Sequence, residues 1–316
     1  MTADLAARAS ARLAALAACS APGPGVTRLP FTPAHRAALA ELTAQREAAG
    51  LSVRLDAAGT LIGRCEGPPG APVLLLGSHQ DSVREGGAYD GIMGVVLPIL
   101  ALEVLRDAGV ALPFAVEVLA FADEEGVRFP TALIGPRALA GTFDPAVLDM
   151  EDADGTRLGD ALRGFGGDPG AIAGLARDPG AVLGYVETHI EQGPVLEAAG
   201  DPLGVVTAIC GIERHPVTLT GETGHAGTLP MEMRRDALVG AAALVTEVDR
   251  LAGRRRACSA RSARSTSPPA RSTRCRARCG PRSSCARPRT QCARPPVSRS
   301  PPSHRRPQRR RGSRST

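Results

Sequence analysis

The segment VLLLGSHQDSVREGGAYDGIMGV sets His79 and Asp81 two residues apart at the end of an apolar run. Residues at i and i+2 of an extended chain share a face, so His79 can bind a metal ion while Asp81 accepts the other ring N–H and fixes the tautomer. Asp90, between Tyr89 and Gly91, supplies a carboxylate that could bridge two cations, in a loop whose glycines permit tight folding. A second apolar run, FAVEVLAFADEEGVRFP, ends in the consecutive acids Asp123, Glu124 and Glu125. Such a cluster repels itself strongly unless cations relieve it. Adjacent residues at a strand end point in different directions, so Glu125 can ligate metal while Glu124 stays free as a general base on a water molecule. His189, in VETHIEQGP, is the next candidate ligand, with Glu191 on the same side and Gln192 available to hydrogen-bond a substrate.

In combination, His79, Asp90 and His189 make a three-ligand site for one ion. Asp90 and Glu125 begin a second site that lacks a further protein ligand. Mixed histidine and carboxylate ligation suits Zn²⁺ or Mn²⁺ and does not separate them. Each motif alone has a blander reading: His-x-Asp as a capped loop, the acids as a solvated turn, THIEQGP as a polar loop. Their joint occurrence points to a dinuclear metal centre.

These residues need rigid elements to hold them. From Leu51 onward the apolar runs LSVRL, TLIG, VLLLGS and FAVEVLAFA alternate with helical patterns, one over roughly residues 91–108. Strands alternating with helices predict an α/β layer architecture. Residues 152–170 read as helical turns with acidic N-caps. PLGVVTAI and RHPVTLTG read as strands, followed by a helix over roughly residues 233–252 with no recognisable partner strand after it. At the start, Asp4, Arg8 and Arg12 interrupt the Ala/Leu runs, which predicts an amphipathic helix of a cytoplasmic protein rather than a signal peptide. No run reaches the ~18 apolar residues that a membrane span needs.

With 316 residues and 43% hydrophobic content, the chain can bury one large core or two ordinary ones. Its net charge of +6 divides sharply. Residues 254–316 carry 20 of the 38 basic residues and no acid, leaving 18 basic against 32 acidic in the rest. Every basic residue is Arg, which together with abundant Ala, Gly and Pro suggests GC-rich coding DNA. Five of the eight cysteines lie in the basic tail, and Cys19, Cys65 and Cys210 are too scattered to form a disulfide framework.

The ordered set GSHQDSV, GGAYDG, AFADEEGVRF, THIEQGPVLE and GHAGTLPMEMRRDAL resembles the signatures of the N-carbamoyl-L-amino-acid hydrolase and allantoate amidohydrolase family. The resemblance runs from about Gly25 to about Gly253. It implies a zinc-peptidase-like catalytic domain with an inserted α+β lid and dimerisation domain, here only its first half. It also implies two divalent ions per subunit and hydrolysis of linear amides or ureides. His79, Asp90, Glu125 and His189 would be ligands, Asp81 would orient His79, and Glu124 would be the general acid/base. His225, within GHAG, would be a lid histidine that stabilises the oxyanion in the partner subunit; from its own residues it reads as a capping histidine at a turn. Gln192 would contact the carbamoyl or carboxylate end of the substrate, and a homodimer is implied. A dipeptidase or aminoacylase of the same superfamily is the alternative among enzymes.

The domain plan expected is therefore a catalytic domain over residues 1–210, half a lid over 211–253 and a disordered tail over 254–316. An Arg-rich tail could bind nucleic acid, although it has no aromatic residue to stack on bases. Translation in a wrong frame explains it better. Reading residues 257–280 one base early, with G or C at the wobble positions, allows G-L-L-G-T-V-G-A-L-D-V-A-P-G-A-V-N-A-V-P-G-E-V-R, a strand's apolar residues followed by a Pro-Gly turn. That hidden text agrees with the elements preceding it, and it too resembles the family's lid. The written chain would then lack the second half of the lid and the last histidine ligand of the second metal. Resequencing codons 250 to 260 is expected to reveal a one-base shift; an intact reading frame there would overturn this explanation.

Overall fold

The computed structural model describes residues 2–209, 211, 213–254, 258–266 and 272–281. These fall into two compact units divided between Gly200 and Asp201. The first unit begins with helices α1 (Thr2–Ala18) and α2 (Pro33–Ala48), then strands β1 (Ser52–Leu55), β2 (Leu61–Cys65) and β3 (Val73–His79). Helix α3 (Ile92–Asp107), strand β4 (Ala115–Phe121), helices α4 (Ile134–Leu139) and α5 (Leu158–Phe165), strand β5 (Val182–Val186) and helix α6 (Val195–Ala199) follow.

Its five strands run in the order β1-β2-β4-β3-β5. The first three pair antiparallel, whereas β3 lies parallel to both β4 and β5. The β3–α3–β4 unit is the crossover that a parallel pair requires. All seven residues of β4 are buried, as expected of a strand covered on both faces. One face of the sheet, through Val116, Val118 and Ala120, joins a core with Leu16, Leu42, Val95 and Ile99 from the three long helices. On the other face Ile62, Leu75, Leu119 and Phe121 form a smaller cluster. Each fully buried aliphatic side chain contributes roughly 1.5–3 kcal/mol, so these layers fix the strand ends that carry the polar loops.

Buried charges tie the helices to this frame. Glu103 of α3 is buried, and Arg8 and Arg12 of α1 donate to its two oxygens at 2.5 and 2.6 Å. Helix α2, which has no counterpart among the elements expected from the sequence, starts at Thr32, whose side chain caps His35 N–H, with Pro33 as the first helical residue.

In the second unit, β6 (Glu213–Thr220), α7 (Ala237–Arg254), β7 (Cys258–Thr266) and β8 (Ser272–Pro281) form a three-stranded antiparallel sheet, order β6-β8-β7, with one helix. Three expectations change here. Helix α7 starts later than residue 233, because Met231–Met233 form a 3-10 turn and the Asp236 side chain caps Leu238 N–H at 2.8 Å. PLGVVTAI forms no strand among the described residues. Residues 258–266 and 272–281, expected to be disordered, pair as strands, with Glu213 opposite Cys279 and Thr220 opposite Ser272. Composition argues against a buried core, whereas strand pairing uses backbone N–H and C=O groups that nearly every residue type carries. The rest of residues 254–316, apart from Arg254 at the end of α7, lies outside the described residues.

Gly77 marks the closest approach within the sheet: its φ is +143°, and a Cβ there would lie 2.1 Å from the Leu119 carbonyl oxygen. Gly77→Ala is expected to force β3 from β4 and to cost about 3 kcal/mol. Urea unfolding of the full chain measures this; an unchanged midpoint would show that the overlap is relieved without parting the strands.

Candidate metal centre

Three parallel strands deliver their C-terminal ends to one side of the sheet, where open α/β sheets place their ligands. His79 is the last residue of β3, with Asp81 and Asp90 in the loop before α3. Strand β4 leads into Asp123, Glu124 and Glu125, and β5 leads into Glu187 and His189. The sheet thereby brings together side chains up to 110 residues apart in sequence.

The two histidines are oriented alike. His79 Nδ1 donates to the Asp81 backbone carbonyl at 2.9 Å, and His189 Nδ1 to the Ile190 carbonyl at 2.9 Å. Both therefore turn Nε2 toward Asp90 Oδ1, at 3.7 Å from His79 and 3.1 Å from His189. Neutral rings protonated at Nδ1 present lone pairs at Nε2, and lone pairs facing a carboxylate oxygen repel it unless a cation or proton lies between. Asp90 Oδ1 receives no hydrogen bond, while Oδ2 accepts the Gln192 amide at 2.6 Å. His79, Asp90 and His189 offer ligand atoms within 4.8 Å of one another, and so do His79, Glu124 and Glu125. This donor set fits a divalent cation. The second cluster joins Glu125 to Glu124 and His79, whereas the sequence pairs it with Asp90.

Asp81 holds the site differently from expectation. Its carboxylate is 3.7 Å from His79 Nδ1 and instead accepts the backbone amides of Glu124, at 3.1 Å, and Glu125, at 3.2 Å. A fully buried carboxylate needs several donors, and these amides supply them; the imidazole is satisfied by the Asp81 carbonyl. Asp81 thus ties the β3 loop to the acidic loop. Glycine is required beside Asp90: Gly91 has φ +65°, and a Cβ there would lie 2.3 Å from His79 Nε2.

Charge crowding is visible in the protonation equilibria. Burial opposes a charge on His79, but Asp90, Asp81 and Glu124 outweigh it and push its pKa up to about 9. Burial, with Asp90, Glu124 and Asp81 nearby, raises Glu125 to about 7 against the pull of His79. Burial also raises Glu124, and it lifts Asp123 to about 8 with help from the Asp81 charge. Asp123 is fully buried at φ +54°, with neither carboxylate oxygen hydrogen-bonded.

One residue at this edge was not anticipated. Glu187 accepts a short hydrogen bond from Ser78 Oγ, and the Tyr185 hydroxyl lies 2.8 Å from its Oε2. Its signal is the alternation of Tyr185, Glu187 and His189, every second residue at the end of β5. His225 belongs to the second unit, where its Nδ1 accepts the amides of Gly227, at 3.1 Å, and Thr228, at 3.2 Å. That is the geometry of a capping histidine, and it leaves the proton on Nε2.

Residues 75–274 match the family model for peptidase family M20/M25/M40. An amidase of the hydantoinase/carbamoylase family from Burkholderia ambifaria superposes with a TM-score of 0.74 at 33% identity, over 87% of this chain and 69% of that one. The chain belongs to this family. Members of M20 are metal-dependent hydrolases. Among curated relatives, N-carbamoyl-L-amino-acid amidohydrolase of Paenarthrobacter aurescens is 45% identical over 233 residues, 73% of this chain and 57% of that protein. Allantoate deiminase of Arabidopsis thaliana is 44% identical over 242 residues, 75% of this chain and 46% of that protein. The chain thus spans about half the length of the curated relatives it matches. No helix among the described residues is long and apolar enough to cross a membrane.

The raised values of His79 and Glu125 set the pH dependence. Each binds its proton more tightly folded than unfolded, so its contribution to stability is full below the ordinary values of 6.5 and 4.5 and is lost as pH rises through about 9 and about 7. The metal-free chain is expected to lose thermal stability as pH rises across that window. Added Mn²⁺ should restore it increasingly toward higher pH, because the ion replaces bound protons. Scanning fluorimetry with and without chelator reads both; stabilisation that shrinks with rising pH would contradict the site.

Proposed function

We propose that the chain derives from a dinuclear metal hydrolase of carbon–nitrogen bonds other than peptide bonds, acting on linear amides or ureides of the N-carbamoyl-L-amino acid, allantoate or ureidopropionate type. The observation carrying this reading is the pair of imidazole Nε2 atoms turned toward one Asp90 oxygen beside the half-buried Glu124 and Glu125. The names of the relatives support the substrate class.

His79, Asp90, His189 and Glu125 would hold two divalent ions, Zn²⁺ or Mn²⁺, which when bound supply the Lewis acidity that polarises the scissile carbonyl. Glu124 is left as the general base. Burial keeps its carboxyl above the usual range, with Asp81, Glu187 and Asp90 reinforcing the shift and His79 opposing it. It accepts a proton from the attacking water and returns it to the departing amine. Gln192 contacts the carbamoyl or carboxylate end of the substrate, and His225 offers Nε2–H to the oxyanion of a partner subunit in a cytoplasmic homodimer.

We also propose that the text after about residue 253 is out of frame. In support, the first Pro-Gly of the restored text falls at positions 269–270, between β7 and β8, and the restored strand residues L-L-G-T-V-G-A-L fall on β7. The written chain would then have little or no activity. A frame-restored protein is expected to release ammonia from at least one linear ureide in the presence of Mn²⁺ or Zn²⁺. Glu124→Gln in that protein should lower the rate by about 10²–10⁴-fold while retaining metal. Inertness toward every linear ureide would overturn the reading, and activity on dipeptides alone would favour the dipeptidase or aminoacylase alternative.

A further inference from the structure

Beneath the metal-facing loop lies a buried cation that no role above uses. Arg28 is only 2% exposed, in the connection between α1 and α2. Its guanidinium contacts carbonyl oxygens: Nε donates to Gln80 at 2.6 Å, and Nη1 to Leu16 at 2.7 Å and Cys19 at 3.1 Å. Leu16 and Cys19 lie at the C-terminal end of α1, where helix carbonyls lack intrahelical donors and the dipole favours a positive charge. Gln80 stands between His79 and Asp81.

The same arginine grips the loop through its backbone. Its N–H donates to Ser82 Oγ at 2.9 Å, and the Ser82 N–H returns to the Arg28 carbonyl at 3.0 Å. From the other side, Gln80 is fastened to β4 by its N–H to the Phe121 carbonyl, at 3.0 Å, and by Nε2 to the Ala120 carbonyl, at 3.2 Å. The loop from His79 to Ser82 is therefore clamped between the strand that leads to the acidic loop and an arginine seated on the end of α1. Helix α1 is itself pinned to α3 through Glu103.

We propose that Arg28 is a positioning residue for the metal centre: by holding the Gln80 carbonyl it fixes where His79 and Asp81 stand, and so sets metal affinity. This rests on the metal-centre reading. The fork geometry matters, since a lysine ammonium cannot span the Gln80 carbonyl and the α1 carbonyls with the planar guanidinium's spacing. Arg46 provides the internal control. It is also fully buried, its Nη1 reaching only the Leu42 carbonyl of its own helix and its Nε and Nη2 receiving no partner.

The test is titration of the full-length chain with Mn²⁺ and Co²⁺ by calorimetry, together with the visible spectrum of the Co²⁺ form. Arg28→Lys and Arg28→Gln are both expected to weaken binding by about 10–100-fold and to alter the Co²⁺ spectrum, whereas Arg46→Met changes unfolding temperature alone. Ser82→Ala, which removes the other strut, should weaken binding in the same direction if the Arg28 variants do not fold. Wild-type affinity and spectrum in folded Arg28→Lys, or tighter binding in Arg28→Gln, would overturn the proposal, as would unaltered binding in Ser82→Ala when neither Arg28 variant folds. Absence of binding by the wild-type chain would instead overturn the metal-centre reading beneath it.

Discussion

Carboxylates brought this close together cannot all stay ionised without a compensating cation, and the first unit is arranged around that constraint. Asp81, Asp90, Glu124, Glu125 and Glu187 gather at the ends of β3, β4 and β5, with Asp123 buried behind them. The protein supplies part of the compensation itself. Backbone amides take the Asp81 charge, a raised His79 faces Asp90, and Asp123 is held as a neutral acid near pH 7. What remains is Asp90 Oδ1, which receives no hydrogen bond although two imidazole Nε2 atoms are directed at it.

The rest of the unit follows from the need to hold that arrangement still. A strand buried on both faces, β4, fixes the acidic loop, and Gly77 lets β3 lie against it closely enough to bring His79 alongside. Around the polar loop, backbone carbonyls serve as anchors: Asp81 and Ile190 orient rings, Gln80 seats Arg28, and Ala120 and Phe121 hold Gln80. Function in such a sheet resides in loops, and here hydrogen bonds to the loop backbone hold them in place.

Much of the site was legible because metal chemistry demands particular residue types at strand ends, and strand ends are marked by where apolar runs stop. VLLLGSHQD and FAVEVLAFADEE announce both features at once. Glu187 was less legible, since a glutamate in YVETH looks solvated until β5 is known to lie beside β3. Arg28 was not legible at all, because nothing local in GVTRL says that its side chain will be buried against the backbone of Gln80, more than 40 residues away.

By itself the sequence determined the candidate ligand types, the α/β alternation, the charge boundary near residue 254 and the family's ordered motifs. All of these depend on residues near one another in the chain. Tertiary structure decided which group satisfies which. It gave the His79 ring to a backbone carbonyl and the Asp81 carboxylate to two amides, tied Gln192 to Asp90, and paired strands within text whose composition argued for disorder. The physical reason is common to these cases: hydrogen-bond partners are allotted by distance in the folded chain, and backbone groups, which compete for every buried polar side chain, look alike in any sequence.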